Sequence, residues 1–211
     1  LSGIFNNKTT GTPIGFVIKN KDQRSNDYDH LQSTFRPSHA DFTYEKKYGF
    51  RDYRGGGRSS ARETACRVVA GAIAQQILNF YKIKIISYVS TVGSISIKKN
   101  YNELDLTKVD NNIVKCPDES CAKEMIKYIQ KIKASGDSIG GEISTIAYNV
   151  PIGLGEPVFD KLQSDLAKSM LGINAAKSFN YGLDYNNAIK MTGSQTNDVL
   201  ISNNGKTKTN N

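Results

Sequence analysis

The residues best suited to chemistry lie in one stretch, Arg36 to Gly71, RPSHADFTYEKKYGFRDYRGGGRSSARETACRVVAG. It is cationic, rich in glycine, and runs into the start of a helix. Free N–H groups and the helix dipole favour an anion at such a start. Gly55, Gly56 and Gly57 let backbone N–H groups approach a ligand with no side chain in the way. Ser59 and Ser60 add hydroxyls, and Arg58 and Arg62 add planar cationic forks suited to phosphate or carboxylate. The same residues also have a structural reading, in which the serines only cap the helix and the arginines stay solvated. His39 sits on this stretch and can donate, accept or change charge near neutral pH, which suits general acid work. A lone histidine can equally be structural, and His30, in the polar run Asp29-His30-Leu31, reads as exposed.

Other motifs carry less. The glycine-rich loop is not a Walker A loop, because no Gly-Lys-Ser/Thr follows it. Gly153-Leu154-Gly155 lacks the third glycine of a dinucleotide fingerprint. Cys116 and Cys121 would need two further ligands to hold zinc, and neither histidine is near in sequence, so no metal is expected. Cys66 reads as helix packing. Arg54-Gly55-Gly56 could be an RNA-binding element, but it occurs once and without aromatic repeats. Lys98-Lys99, Lys131 and Lys133 read as solvated faces.

These residues need elements to hold them. Residues Pro13 to Asn20 read as a strand, and Lys21 to Ser38 and Tyr44 to Ser59 as loops. Ala61 to Phe80 is the clearest helix, with Ala65, Val69, Ala72, Ile73, Ile77 and Phe80 on one side. Ser60-Ala61-Arg62-Glu63 has the capping-box pattern, Ser capping and Glu reaching back. Ile83 to Ile97 is β-branched and interrupted at Gly93, giving two short strands or one bulged strand. Cys121 to Lys133 is a helix with Ala122, Met125, Ile126, Ile129 and Ile132 inward. Glu142 to Val150 is a strand, and Pro157 to Leu171 a helix with proline in its first turn. Strands and helices mix without regular alternation, so the fold class is α+β. Residues 202–211 are polar and without apolar period, and read as a mobile loop.

Composition bounds the function. The 211 residues carry 28 Lys+Arg against 20 Asp+Glu, a net charge of +8, with pI ≈ 9.3. An anionic partner follows, whether nucleic acid, membrane surface or phosphorylated small molecule. A hydrophobic share of 38% excludes disordered and collagen-like classes. No apolar run approaches the ~18 residues a membrane span needs. Three cysteines are too few for a disulfide scaffold and fit a reducing compartment.

The stretch RPSHADFTYEKKYGFRDYRGGGRSSARETACRVVAGAIA resembles the signature of the chorismate synthase family. LSGIFNNKTTGTPIGFVI and NKDQRSNDY before it, and GDSIG, PIGLGEPVF and GINAAK after it, are similar to further segments of that family. The resemblance covers essentially the whole chain. It implies conversion of 5-enolpyruvylshikimate 3-phosphate to chorismate and phosphate, an anti-1,4-elimination that requires reduced FMN without net redox change. It implies a β-α-β sandwich of antiparallel sheets packed around helices, a cytoplasmic homotetramer, no catalytic metal, and no nucleic-acid or membrane partner. Some members also carry an NADPH-dependent flavin reductase activity.

The resemblance also implies roles for single residues. His39 matches an active-site histidine beside the flavin, there to protonate or stabilise it as charge moves. Arg58, Ser59 and Ser60 match a flavin-binding stretch, Asn174 and Ala175 a second flavin-contacting pair, and Arg62 an arginine that holds the anionic substrate. Three anionic groups on the substrate and a phosphate on FMN suit the basic charge. Ser38 stands where glycine is common in the family. The family's amino-terminal Gly-Glu-Ser-His-Gly-type motif with a first histidine, its Ser-Gly-Gly-rich motif and its carboxy-terminal Arg-His-Asp segment have no counterpart here. The expectation is therefore a single partial domain over residues 1–211, inactive alone. A non-catalytic anion- or RNA-binding module using the same loop is the alternative from a different class.

Overall fold

The computed structural model describes residues 1–21, 24–54, 59–182, 189–196 and 199–209. They form two compact units, one of residues 1–70 and 153–211, the other of residues 71–152. The architecture mixes helices with small antiparallel sheets, as an α+β fold does.

The second unit has the packed core. Strand β3 (Lys84–Val92) is central in a three-stranded antiparallel sheet, between β4 (Ile95–Ser96) and β5 (Gly141–Tyr148). The β3–β5 register runs from Lys84 opposite Tyr148 to Val92 opposite Gly141 and slips between Val89 and Thr91, which leaves Ser90 as the extra residue of a bulge. Both alternatives drawn from Gly93 are therefore realised: a hairpin at the glycine and a bulge before it. Gly93 has φ +56°, and a Cβ there would stand 2.5 Å from Tyr128 Cε1. Only glycine meets both conditions.

Helix α3 (Glu119–Ala134) starts at Asp118, whose carboxylate accepts from Cys121 N at 3.1 Å and from Lys99 Nζ at 2.7 Å. Its apolar side is the predicted one. Met125 and Ala122 are fully buried, with Val92, Cys116 and Cys121 around them and Val89, Ile95, Tyr128 and Ile129 at the margin. Burial pushes the Cys121 thiol up to about 11, with the neighbouring Cys116 adding to the effect.

The first unit differs in kind. Among its described residues only Gly3 and Asp41 are buried, and neither is a large apolar residue. It contains a short hairpin of β1 (Ile4–Phe5) and β2 (Lys8–Thr9), turned by Asn6 and Asn7 at φ 47° and 60°. Residues Ser25–Leu31 form a 3-10 helix, α1 spans Asp41–Tyr48, α2 begins here and spans Thr64–Phe80, and α4 spans Leu162–Leu171.

Several expectations need correcting. Residues 13–20 form no strand; Gly15 bridges Ser2 alone, and a strand without a ladder is not stable. The two expected loops hold the 3-10 helix and most of α1, which ends at Gly49 in the left-handed conformation. The helix expected from Pro157 begins only at Leu162. Val158 has φ 71°, and a left-handed residue cannot lie in a right-handed helix. The loop expected over residues 202–211 is, as far as residue 209, part of the hairpin β6 (Leu200–Asn203) and β7 (Lys206–Thr209), and residues 210–211 lie outside the described residues. The turn is Asn204-Gly205 at φ 51° and 74°, the geometry a two-residue hairpin requires. Helix α2 forms over the predicted span, but no residue of it is buried; Ile77 and Phe80 of its apolar side are exposed.

Candidate functional site

His39 stands just before α1, on a backbone turned sharply by Ser38, whose φ is 57°. A non-glycine residue pays about 1–2 kcal/mol for that conformation. The turn sets the imidazole against the first residue of α1, Asp41. His39 Nδ1 lies 2.9 Å from Asp41 Oδ1, 3.2 Å from Asp41 N and 3.3 Å from Arg36 Nη2. Among the described residues Nε2 makes no hydrogen bond or ion pair, and the side chain is 25% exposed.

Asp41 is the buried centre of this cluster, 3% exposed. Arg36 donates to it twice, Nε to Oδ2 at 2.7 Å and Nη2 to Oδ1 at 3.0 Å. Those hydrogen bonds above all hold the Asp41 carboxyl down at about 2, against the opposing effect of burial. Arg51, nearly buried, donates to Leu31 O at 2.6 Å, Thr34 O at 2.7 Å and Glu45 Oε2 at 2.9 Å. Its Nη1 has no hydrogen-bond partner among the described residues and sits 3.7 Å from Asp41 Oδ1. The guanidinium also stacks over Phe35 at 5.0 Å from the ring centre. Arg36, Asp41, Glu45 and Arg51 were not singled out from sequence as site residues. The signal was there in Asp41, a carboxylate two residues beyond a candidate histidine.

The second group is the start of α2. Ser60 is extended and its Oγ accepts from Arg62 N at 3.3 Å, so it caps a 3-10 turn, Ala61–Glu63, that leads into the helix. The reciprocal half of the capping box is not made. Glu63 Oε1 instead accepts from Arg67 Nε at 2.9 Å, one turn onward. Ser59 is half-buried, and Arg62 is exposed without a carboxylate partner among the described residues. Arg58 and the three glycines lie outside the described residues.

Asn174 and Ala175 follow the end of α4, both exposed, with Ala175 at φ 67°. Gly172, two residues earlier, packs close to Arg67: a Cβ on Gly172 would stand 3.3 Å from Arg67 Nη1. That approach brings the end of α4 beside the first turn of α2. The polar contacts of His39 stay within Arg36–Asp41 and do not reach this second group.

What these groups can do is bind anions and hold a proton. The start of α2 offers N–H groups, two hydroxyls and the guanidinium of Arg62, the donor set a phosphate takes. The His39 cluster offers an imidazole fixed at one nitrogen with the other open.

The chain matches the family model described as chorismate synthase over residues 1–211. It is 57% identical over 210 residues to a chorismate synthase of Christiangramia forsetii and 58% identical to one of Flavobacterium psychrophilum. Each match covers 100% of this chain and 58% of the relative, so the chain spans well under two thirds of their length. A solved structure described as a crystal structure of chorismate synthase superposes with a TM-score of 0.82 at 31% identity, over 99% of this chain and 62% of the other.

Proposed function

The chain belongs to the chorismate synthase family, and on that premise we propose that it is part of an enzyme converting 5-enolpyruvylshikimate 3-phosphate to chorismate and phosphate. The observation that carries this reading is the start of α2, where Ser59, Ser60 and Arg62, which has no carboxylate partner among the described residues, lie at a helix N-terminus. That donor set fits the phosphate of FMN and the anionic groups of the substrate. Arg58, Ser59, Ser60, Asn174 and Ala175 hold FMN, and Arg62 holds a phosphate or carboxylate of the substrate. Reduced FMN, when bound, supplies the electron density that assists loss of phosphate in the anti-1,4-elimination. His39 exchanges a proton at Nε2, where negative charge develops during the reaction. Arg36 and Arg51 balance the carboxylates of Asp41 and Glu45 beneath it.

The whole protein is cytoplasmic and a homotetramer, the two compact units form one partial domain of it, and this 211-residue chain alone does not turn over substrate. Among the described residues no helix is long and apolar enough to cross a membrane. Flavin difference spectroscopy on the complete protein, with and without the phosphorylated substrate, tests the reading. A substrate-dependent change in the flavin spectrum that RNA does not suppress is expected. Displacement by RNA with no response to substrate would support the binding-module alternative. His39→Ala is expected to lower turnover more than it weakens FMN binding, and unchanged turnover removes the acid role.

A further inference from the structure

We infer that Asp41 is the positioning residue for His39: it holds the proton on Nδ1, so the nitrogen that exchanges a proton is Nε2. Three groups compete for Nδ1. Asp41 Oδ1 is nearest at 2.9 Å, and the donors Asp41 N and Arg36 Nη2 stand at 3.2 and 3.3 Å. If Nδ1 carried no proton, its lone pair would face an ionised carboxylate oxygen at 2.9 Å. That repulsion outweighs one long backbone hydrogen bond, because a charge-assisted bond is about twice as strong as a neutral one. The Arg36 donor loses nothing, since Nη2 already reaches Asp41 Oδ1 at 3.0 Å. A histidine side chain in water favours the other tautomer, with the proton on Nε2, so the cluster reverses an intrinsic preference.

The surroundings keep Asp41 ionised enough to do this. Arg36 grips both its oxygens, and the unsatisfied Nη1 of Arg51 faces Oδ1 at 3.7 Å. Glu45, the remaining carboxylate of the cluster, is occupied by Arg51 at 2.9 Å and leaves Asp41 to the histidine. Among the described residues Asp41 is the carboxylate in contact with the ring, at Nδ1, and Nε2 is left as the nitrogen that exchanges a proton. The value of this arrangement for catalysis rests on the acid role proposed for His39; the tautomer does not.

Imidazole nitrogen NMR of the 15N-labelled chain reads the tautomer directly. The chain has two histidines, so His30→Gln leaves one ring and assigns it. In the neutral form, Nδ1 is expected at the shift of a protonated nitrogen and Nε2 at that of a bare one. The reverse pattern overturns the proposal, with no variant of the cluster needed. Asp41→Asn is expected to lower the Nδ1–H population several-fold, with backbone amide shifts outside residues 36–51 unchanged. A folded Asp41→Asn chain with the same tautomer as the parent also overturns it. Because neither measurement uses flavin or substrate, a full-length His39→Ala enzyme that keeps its turnover removes the acid role separately.

Discussion

Arg36 and Asp41 meet fork to fork, with Nε on Oδ2 at 2.7 Å and Nη2 on Oδ1 at 3.0 Å. The pair fixes the turn that carries His39 and makes one buried carboxylate strongly acidic. Its folded value of about 2 lies below the ordinary 3.8. A depressed carboxylate stabilises the fold fully above its unfolded value and stops doing so as the pH falls through its folded value. The window is therefore roughly pH 4 down to 2, and the amount at neutral pH is about 2 kcal/mol. Denaturant unfolding across that range is expected to show a shallower acid limb for Asp41→Asn than for the parent. Equal slopes would mean that Asp41 titrates as an ordinary carboxylate.

Ser38 adopts φ 57° immediately before His39. Glycine enters that region without a Cβ penalty, although its looser unfolded chain offsets part of the gain. Ser38→Gly is expected to stabilise the chain by roughly 0.5–1 kcal/mol. Thermal unfolding of the two proteins checks the sign; a loss of stability would show that the serine compensates the turn in some other way.

Ser60 caps the turn that opens into α2 with a single long hydrogen bond, 3.3 Å from Arg62 N. Ser60→Ala should cost about 0.5–1 kcal/mol, the lower part of the range for such caps. The loss should appear as faster amide exchange at residues 61–66, with the amides of α3 unaffected. Uniform acceleration in both places would assign the serine a role beyond capping.

Met125 is fully buried between α3 and the sheet. Met125→Ala removes most of that filling and should destabilise the second unit by roughly 2–5 kcal/mol. Met125→Leu, nearly equal in volume, should cost less than about 1.5 kcal/mol. Similar losses for the two would indicate that the core tolerates a cavity there.

The elements that were legible in the sequence are those whose own pattern decides them. The period of Ala122, Met125, Ile129 and Ile132 marks α3, and the β-branched run broken at Gly93 marks the β3–β4 hairpin. The Asn204-Gly205 hairpin was equally legible, since Asn-Gly suits two successive positive φ values, but the polar tail around it masks the signal. Residues 157–161 misled because proline suits a first helical turn, while the positive φ of Val158 depends on chain geometry that composition does not encode. At the site, the residue types of the Arg36–Gly71 stretch pointed to anion chemistry and to a histidine. What they could not give was the partner of that histidine. Asp41 earns its place through burial and the convergence of Arg36 and Arg51, distances that only folding creates.

The uneven distribution of buried side chains between the two units has a practical corollary. Where Met125, Cys116 and Ala122 interlock, a protease finds no slack, whereas the described residues of 1–70 and 153–209 offer it backbone with almost nothing apolar sealed beneath. Brief digestion should therefore whittle the chain from both sides toward a resistant kernel around residues 83–148. Proteolysis would then recover from this chain the piece with the sealed core.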